Sequence, residues 1–150
     1  MKSAGRVLII CALTIAFCAG CRQSPPSIQM SQPSSGQQGR DVRYNAALAL
    51  AWRGSPKIKE DPVAWDLLLE MLDEEKQLQN YRIKQPDGRE IGNEAAARET
   101  TRGALRAVQE LHKKQPSLDL AGLKPAIEKL AESGNKVIAT DAKQVLQALK

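Results

Sequence analysis

Asp41-Val42-Arg43-Tyr44-Asn45-Ala46-Ala47-Leu48-Ala49-Leu50-Ala51-Trp52-Arg53-Gly54 is the stretch from which the rest of the chain is read. Asp41 is a good N-cap, because its carboxylate can accept the unpaired amides of a first helical turn, and Gly54 is a natural terminator. Between them Val42, Ala46, Ala49 and Leu50 recur at helical spacing while Ala47, Leu48 and Ala51 fill adjoining faces. A helix apolar over so much of its circumference is expected to lie between neighbours rather than on the surface. Trp52 and Trp65 are expected to pack in the core, since large aromatics dominate small cores. The alternative for both is an anchor in an interface with a partner.

Further helical patterns follow. Asp61-Pro62 supplies a cap and a first-turn proline, and Ala64, Leu67, Leu68, Met71 and Leu72 form a stripe running to about Glu75. A long helix is expected from near Asn93 to about Lys114, with Ala97, Thr101, Ala104, Leu105, Val108 and Leu111 on one face. Gln115-Pro116 ends it. Leu123 to Glu132 gives another helix, with Pro125 tolerated in its first turn, and Asn135 caps a last one carrying Ile138, Ala142, Val145 and Leu149. The fold class read from this is all-α, about two and a half helical hairpins, and a generic helix bundle fits the same periodicities.

Lys76 to Gly92 interrupts this order with seventeen residues, where two to eight would join neighbouring helices. Tyr81-Arg82-Ile83-Lys84 and Arg89-Glu90-Ile91 flank Pro86-Asp87-Gly88, the composition of a hairpin with a turn and a bulge. Two readings stand side by side. Tyr81, Arg82 and Arg89 would suit contact with a partner, or Tyr81 and Ile83 fold back and cover an open edge of the helices.

Residues 41–50, followed after a break by Trp65-Asp66-Leu67-Leu68-Leu69-Glu70-Met71-Leu72-Asp73, resemble a HEAT repeat of the bacterial type also found in phycocyanobilin lyases. Arg102-Gly103-Ala104-Leu105 and Val137 to Leu149 are similar but degenerate, so the resemblance spans roughly residues 39–150. It implies a short HEAT-like α-α superhelix that binds a partner, and it brings no catalytic residues. A single hairpin of this kind cannot cover its own apolar face, so stacking supplies the core.

Ahead of the domain, Lys2 and Arg6 precede an apolar run from Val7 to Phe17 and a small-residue end, the three parts of an export signal. The fourteen residues from Val7 to Gly20 fall short of the roughly 20 that cross a hydrocarbon core. Cys18-Ala19-Gly20-Cys21 resembles the lipobox of bacterial lipoproteins, which implies cleavage before Cys21 and acylation of its sulfur; Cys18 stands where Leu is usual. Cys11 and Cys18 would leave with the leader, so no internal disulfide is expected. From Arg22 to Arg40 fifteen of nineteen residues are Ser, Gln, Pro or Gly, too polar to bury the surface that ordering requires. The expected organisation is a lipoprotein signal peptide at 1–20, a lipidated cysteine and flexible tether at 21–40, and a helical-repeat domain at 41–150.

Composition narrows the function. Once Lys2 and Arg6 leave with the leader, 20 basic residues face 17 acidic ones, an excess too small to argue for nucleic acid. His112 is the only histidine, so no multi-histidine metal site forms around it, and Gln85-Pro86-Asp87-Gly88 is turn chemistry rather than a phosphate loop. No catalytic, cofactor-binding or metal-binding residue is nominated and no cofactor is expected. The reading is a non-enzymatic interaction module exported to the bacterial envelope, held at a membrane by lipid on Cys21 and binding an envelope protein. The alternative is an accessory subunit that presents a substrate or cofactor to an envelope enzyme. Arg22, in place of Asp after the acceptor cysteine, leans the location toward an outer membrane if two membranes are present.

Overall fold

The computed structural model describes residues 35–150, with side chains from residue 38 onward. The expected leader, Cys21 and the tether up to residue 34 lie outside the described residues. Within them the chain is mostly helical, in the order α1 (Ser35–Arg53), α2 (Lys57–Glu60), α3 (Pro62–Met71), α4 (Glu74–Asn80), β1 (Arg82–Lys84), β2 (Glu90–Gly92), α5 (Glu94–Lys114), α6 (Lys124–Ala131) and α7 (Lys136–Ala148). No helix among these residues is long and apolar enough to cross a membrane.

Several helix ends are written in the sequence. The Asp61 carboxylate accepts from the amides of Val63 and Ala64 at 3.0 and 3.2 Å, with Pro62 in the first turn. Asn93 accepts from Ala96 at 3.2 Å, and Asn135 from Val137 at 3.1 Å. Each of these side chains satisfies amides that a helix start leaves without an intrahelical partner. At the other end of α1, the Gly54 amide donates to Ala51 and the Ser55 amide to Leu50, the paired bonds of a Schellman stop. Gly54 has a φ of 70°, and a β-carbon there would lie 2.6 Å from Cβ of Lys114, so both conformation and space require glycine.

Three expectations change. The first helix begins at Ser35, so Asp41 lies inside it and its carboxylate accepts from the Tyr81 hydroxyl instead of capping. The segment expected to be irregular from Lys76 starts with helix: Asp73 accepts from the Lys76 amide at 3.2 Å and opens α4, which Leu72 and Asp73 separate from α3. Trp52, expected in the core, is 45% exposed, whereas Trp65 is half-buried against the core.

α5 is the centre of the packing, in contact with α1, α3, α4 and α7, while α3 pairs with α1 and α6 with α7. The core runs through Ile58, Leu68, Met71, Leu72, Leu105, Val108, Leu111, Leu123, Ile127 and Ile138, all essentially inaccessible. Each such Leu, Ile, Val or Met contributes roughly 1.5–3 kcal/mol relative to an exposed position. At the rim, Arg102 on α5 donates to Asp141 on α7 at 2.7 Å, and Ser133 after α6 donates to Glu74 on α4 at 2.6 Å. Lys129 on α6 lies 3.8 Å from Glu75, so the carboxylates at 74 and 75 join α4 to α6.

Candidate functional site

β1 and β2 form an antiparallel ribbon with Arg82 opposite Gly92, Ile83 opposite Ile91 and Lys84 opposite Glu90. The turn follows from its residues. Gly88 donates to the Gln85 carbonyl at 2.9 Å and has a φ of 86°, while the Gln85 amide donates to Arg89 at 2.7 Å. Pro86-Asp87-Gly88 thus makes a three-residue connection with glycine in the left-handed position. The Asp87 carboxylate accepts from the Arg89 amide at 3.0 Å and holds its guanidinium at 2.7 Å, which keeps Asp87 below the usual carboxylate range.

Every residue of both strands is exposed. Ile83 and Ile91, directly opposite one another and therefore on the same face of the ribbon, are 44% and 45% exposed. A two-stranded ribbon is marginal alone in water, so something must hold its base.

α4 leads into the ribbon, and a polar cluster ties that helix to α1 and α3. The Tyr44 hydroxyl, on α1, donates to Oε1 of Glu70 at 2.7 Å and accepts from Nε2 of Gln77 at 3.2 Å and Nδ2 of Asn80 at 3.1 Å. One donor and two lone pairs are all engaged. Gln77, fully buried, also donates to the Glu70 carbonyl at 2.7 Å, and Asn80 to the Glu70 carboxylate at 3.2 Å. Burial, partly opposed by Gln77 and reinforced by the Glu70 carboxylate, pushes the Tyr44 phenol up to about 12. Partial burial of Glu70 works against its charge, but the Tyr44 hydroxyl, the Lys76 ammonium at 3.6 Å and the Asn80 amide hold it below its ordinary value.

Next to it Tyr81, between α4 and β1, is buried. Its hydroxyl donates to Asp41 at 3.1 Å and accepts from Thr100 at 3.0 Å, and the Arg40 guanidinium sits 4.9 Å above its ring. Burial, with the Asp41 carboxylate, raises its phenol above the ordinary value despite the Thr100 bond. Arg40 also donates to the Asn80 carbonyl at 2.9 Å. A groove of about 330 Å³ between α1 and α5 opens beside these groups, lined by Asp41, Tyr44, Leu48, Tyr81, Glu99 and Thr100.

The nominated residues therefore divide. Tyr81 folds back and fastens the ribbon to α1 and α5, whereas Arg82 and Arg89 stay exposed on it, Arg82 3.9 Å from Glu90 and Arg89 paired with Asp87. Ile83, expected to cover an edge if it folded back with Tyr81, remains half in solvent. Cys21 lies outside the described residues. Ile91 and the cluster of Tyr44, Glu70, Gln77 and Asn80 were not nominated. The matching of Ile83 to Ile91 across the Pro-Asp-Gly turn was a usable signal for the first. Nothing in spacing alone marks the cluster, because its members come together only through packing.

Comparison of the chain with protein-family models, with curated proteins and with solved structures finds no match in any of the three.

Proposed function

We propose that this chain is a non-catalytic protein-interaction module of the bacterial cell envelope: a short HEAT-like helical stack, held at a membrane by lipid on Cys21, that meets a partner protein through the ribbon of β1 and β2. The observation that carries the reading is the ribbon itself. It presents Ile83, Ile91, Arg82, Lys84 and Arg89 to solvent while Tyr81 at its base bonds to Asp41 on α1 and Thr100 on α5. A rigidly seated element with apolar side chains and arginines on its surface is what an interface uses, since little ordering entropy is lost on binding. The stack is supported by α5 packing on α1 and on α7, and by the bond of Lys59 to Asp119 at 2.7 Å that joins α2 to the segment before α6. The tether rests on the leader and Cys18-Ala19-Gly20-Cys21.

Affinity capture of the full chain from crosslinked membranes of the source organism tests this. The expected result is one dominant protein partner, with capture from the membrane fraction lost in a Cys21→Ala variant. A chromophore or small molecule bound in place of a protein would overturn the module reading, and normal processing with membrane retention of Cys21→Ala would overturn the tether.

A further inference from the structure

Among the described residues, α1 turns one side to its neighbours and leaves the other uncovered. Tyr44, Ala47 and Ala51 are buried against the body, whereas Val42, Ala46 and Ala49 share the opposite face and are exposed, with Trp52 beside them. Val42 and Trp52 are 68% and 45% exposed, the least covered large apolar side chains of this helix. Arg43 flanks the stripe and Arg53 ends it; both are exposed and neither has an ion-pair partner among the described residues. The exposed residues of α1 from 38 onward include no carboxylate. The face is thus apolar along its middle, with a Trp at its margin and two uncompensated guanidiniums.

A second copy is a poor occupant. Antiparallel pairing about Ala46 and Ala49 sets Arg53 beside the other copy's Arg43, and parallel pairing sets like against like. An anionic lipid surface fits better. Guanidinium forks match phosphate oxygens, indole rings favour the headgroup boundary, and long arginine side chains reach headgroups while their stems lie on apolar ground. Position along the chain agrees. Thirteen residues separate Cys21 from Ser35, a span of roughly 45 Å even when fully extended, so a lipidated Cys21 keeps the N-terminal end of α1 within that distance of the membrane.

We infer that the outer face of α1, centred on Val42, Ala46 and Ala49 with Trp52, Arg43 and Arg53, docks on an anionic lipid surface and so sets how the domain is oriented above the membrane. This rests on the tether proposed above.

The test uses the full chain, processed and lipidated, carrying Ala49→Cys with a nitroxide label and reconstituted in vesicles. If Cys21 is acylated, position 49 holds the only free thiol of the processed chain, and labelling at two sites would report failure of the tether reading separately. With vesicles containing phosphatidylglycerol, the label is expected to become accessible to oxygen and protected from a water-soluble nickel chelate. Protection should be lost in pure phosphatidylcholine. An Arg43→Gln/Arg53→Gln variant, still anchored, should dock roughly thirtyfold less, at about fivefold per charge near the surface. A label that stays fully water-accessible on anionic vesicles would overturn the inference. So would spin-spin broadening from a second copy, or protection independent of lipid charge, which would point to a protein on this face. Should the label at 49 perturb α1, quenching of Trp52 by brominated lipids in a Trp65→Phe background gives the same reading.

Discussion

α1 and α5 are the two long helices of the domain, and they are built on opposite plans. α5 buries Ala97, Thr101, Ala104, Leu105, Ala107, Val108 and Leu111, and has neighbours on several sides. α1 buries only Tyr44, Ala47 and Ala51 among its described residues, and its firmest ties are polar: Tyr44 to Glu70, Arg40 to Asn80, Asp41 to Tyr81. α5 is held chiefly by buried area, whereas α1 adds these hydrogen bonds to a smaller apolar contact that includes Leu48 and Leu50. The comparison teaches that alanine density does not locate a helix. Ala47 and Ala51 face the core while Ala46 and Ala49 face water, and alanine is compatible with both because it contributes little area to either.

The largest break of that contrast comes from the core side. Leu111→Ala removes an inaccessible side chain and is expected to cost ~2–5 kcal/mol, read from denaturant unfolding at unchanged slope. On the polar side, Tyr44→Phe leaves Glu70, Gln77 and Asn80 without a shared partner at nearly constant volume, and is expected to cost ~1–3 kcal/mol. Its pH signature separates the two mechanisms. The native Tyr44 phenol titrates at about 12, above the ordinary ~10 of an unfolded chain, so its contribution is intact below pH ~10 and is lost as pH rises toward 12. Tyr44→Phe should flatten that alkaline decline, whereas Leu111→Ala should leave its shape unchanged. The smallest effect is expected on the bare face, where Ala49→Gln should change stability by less than ~0.5 kcal/mol.

Legibility followed the same division. Caps at Asp61 and Asn135, the start of α5 near Asn93, the stop at Gly54 and the stripe of α5 were all readable, because each depends on residues close in sequence. The ribbon was readable too, from Pro86-Asp87-Gly88 between runs that alternate. Asp41 misled, since a carboxylate placed to cap can equally accept from a distant tyrosine, and the choice is made by Tyr81 forty residues away. Asp73 hid a second cap inside what read as one continuous helix. The cluster around Tyr44 was invisible because Gln77 and Asn80 lie on a seven-residue helix with too little periodicity to show which side is buried. Exposure of Trp52 was likewise unreadable, as it depends on which sides of α1 the other described helices cover.

The ribbon, exposed along both strands, is proposed as the surface where a partner binds. Capture from crosslinked membranes with an Ile83→Asp/Ile91→Asp variant tests it most directly, because both side chains are already half in solvent and their loss leaves the core and the Tyr44 cluster untouched. The dominant partner is expected to disappear while the melting temperature stays within about 2 °C of the parent chain, as for other substitutions at exposed positions. Retention of the partner at full yield by a stably folded variant would contradict it.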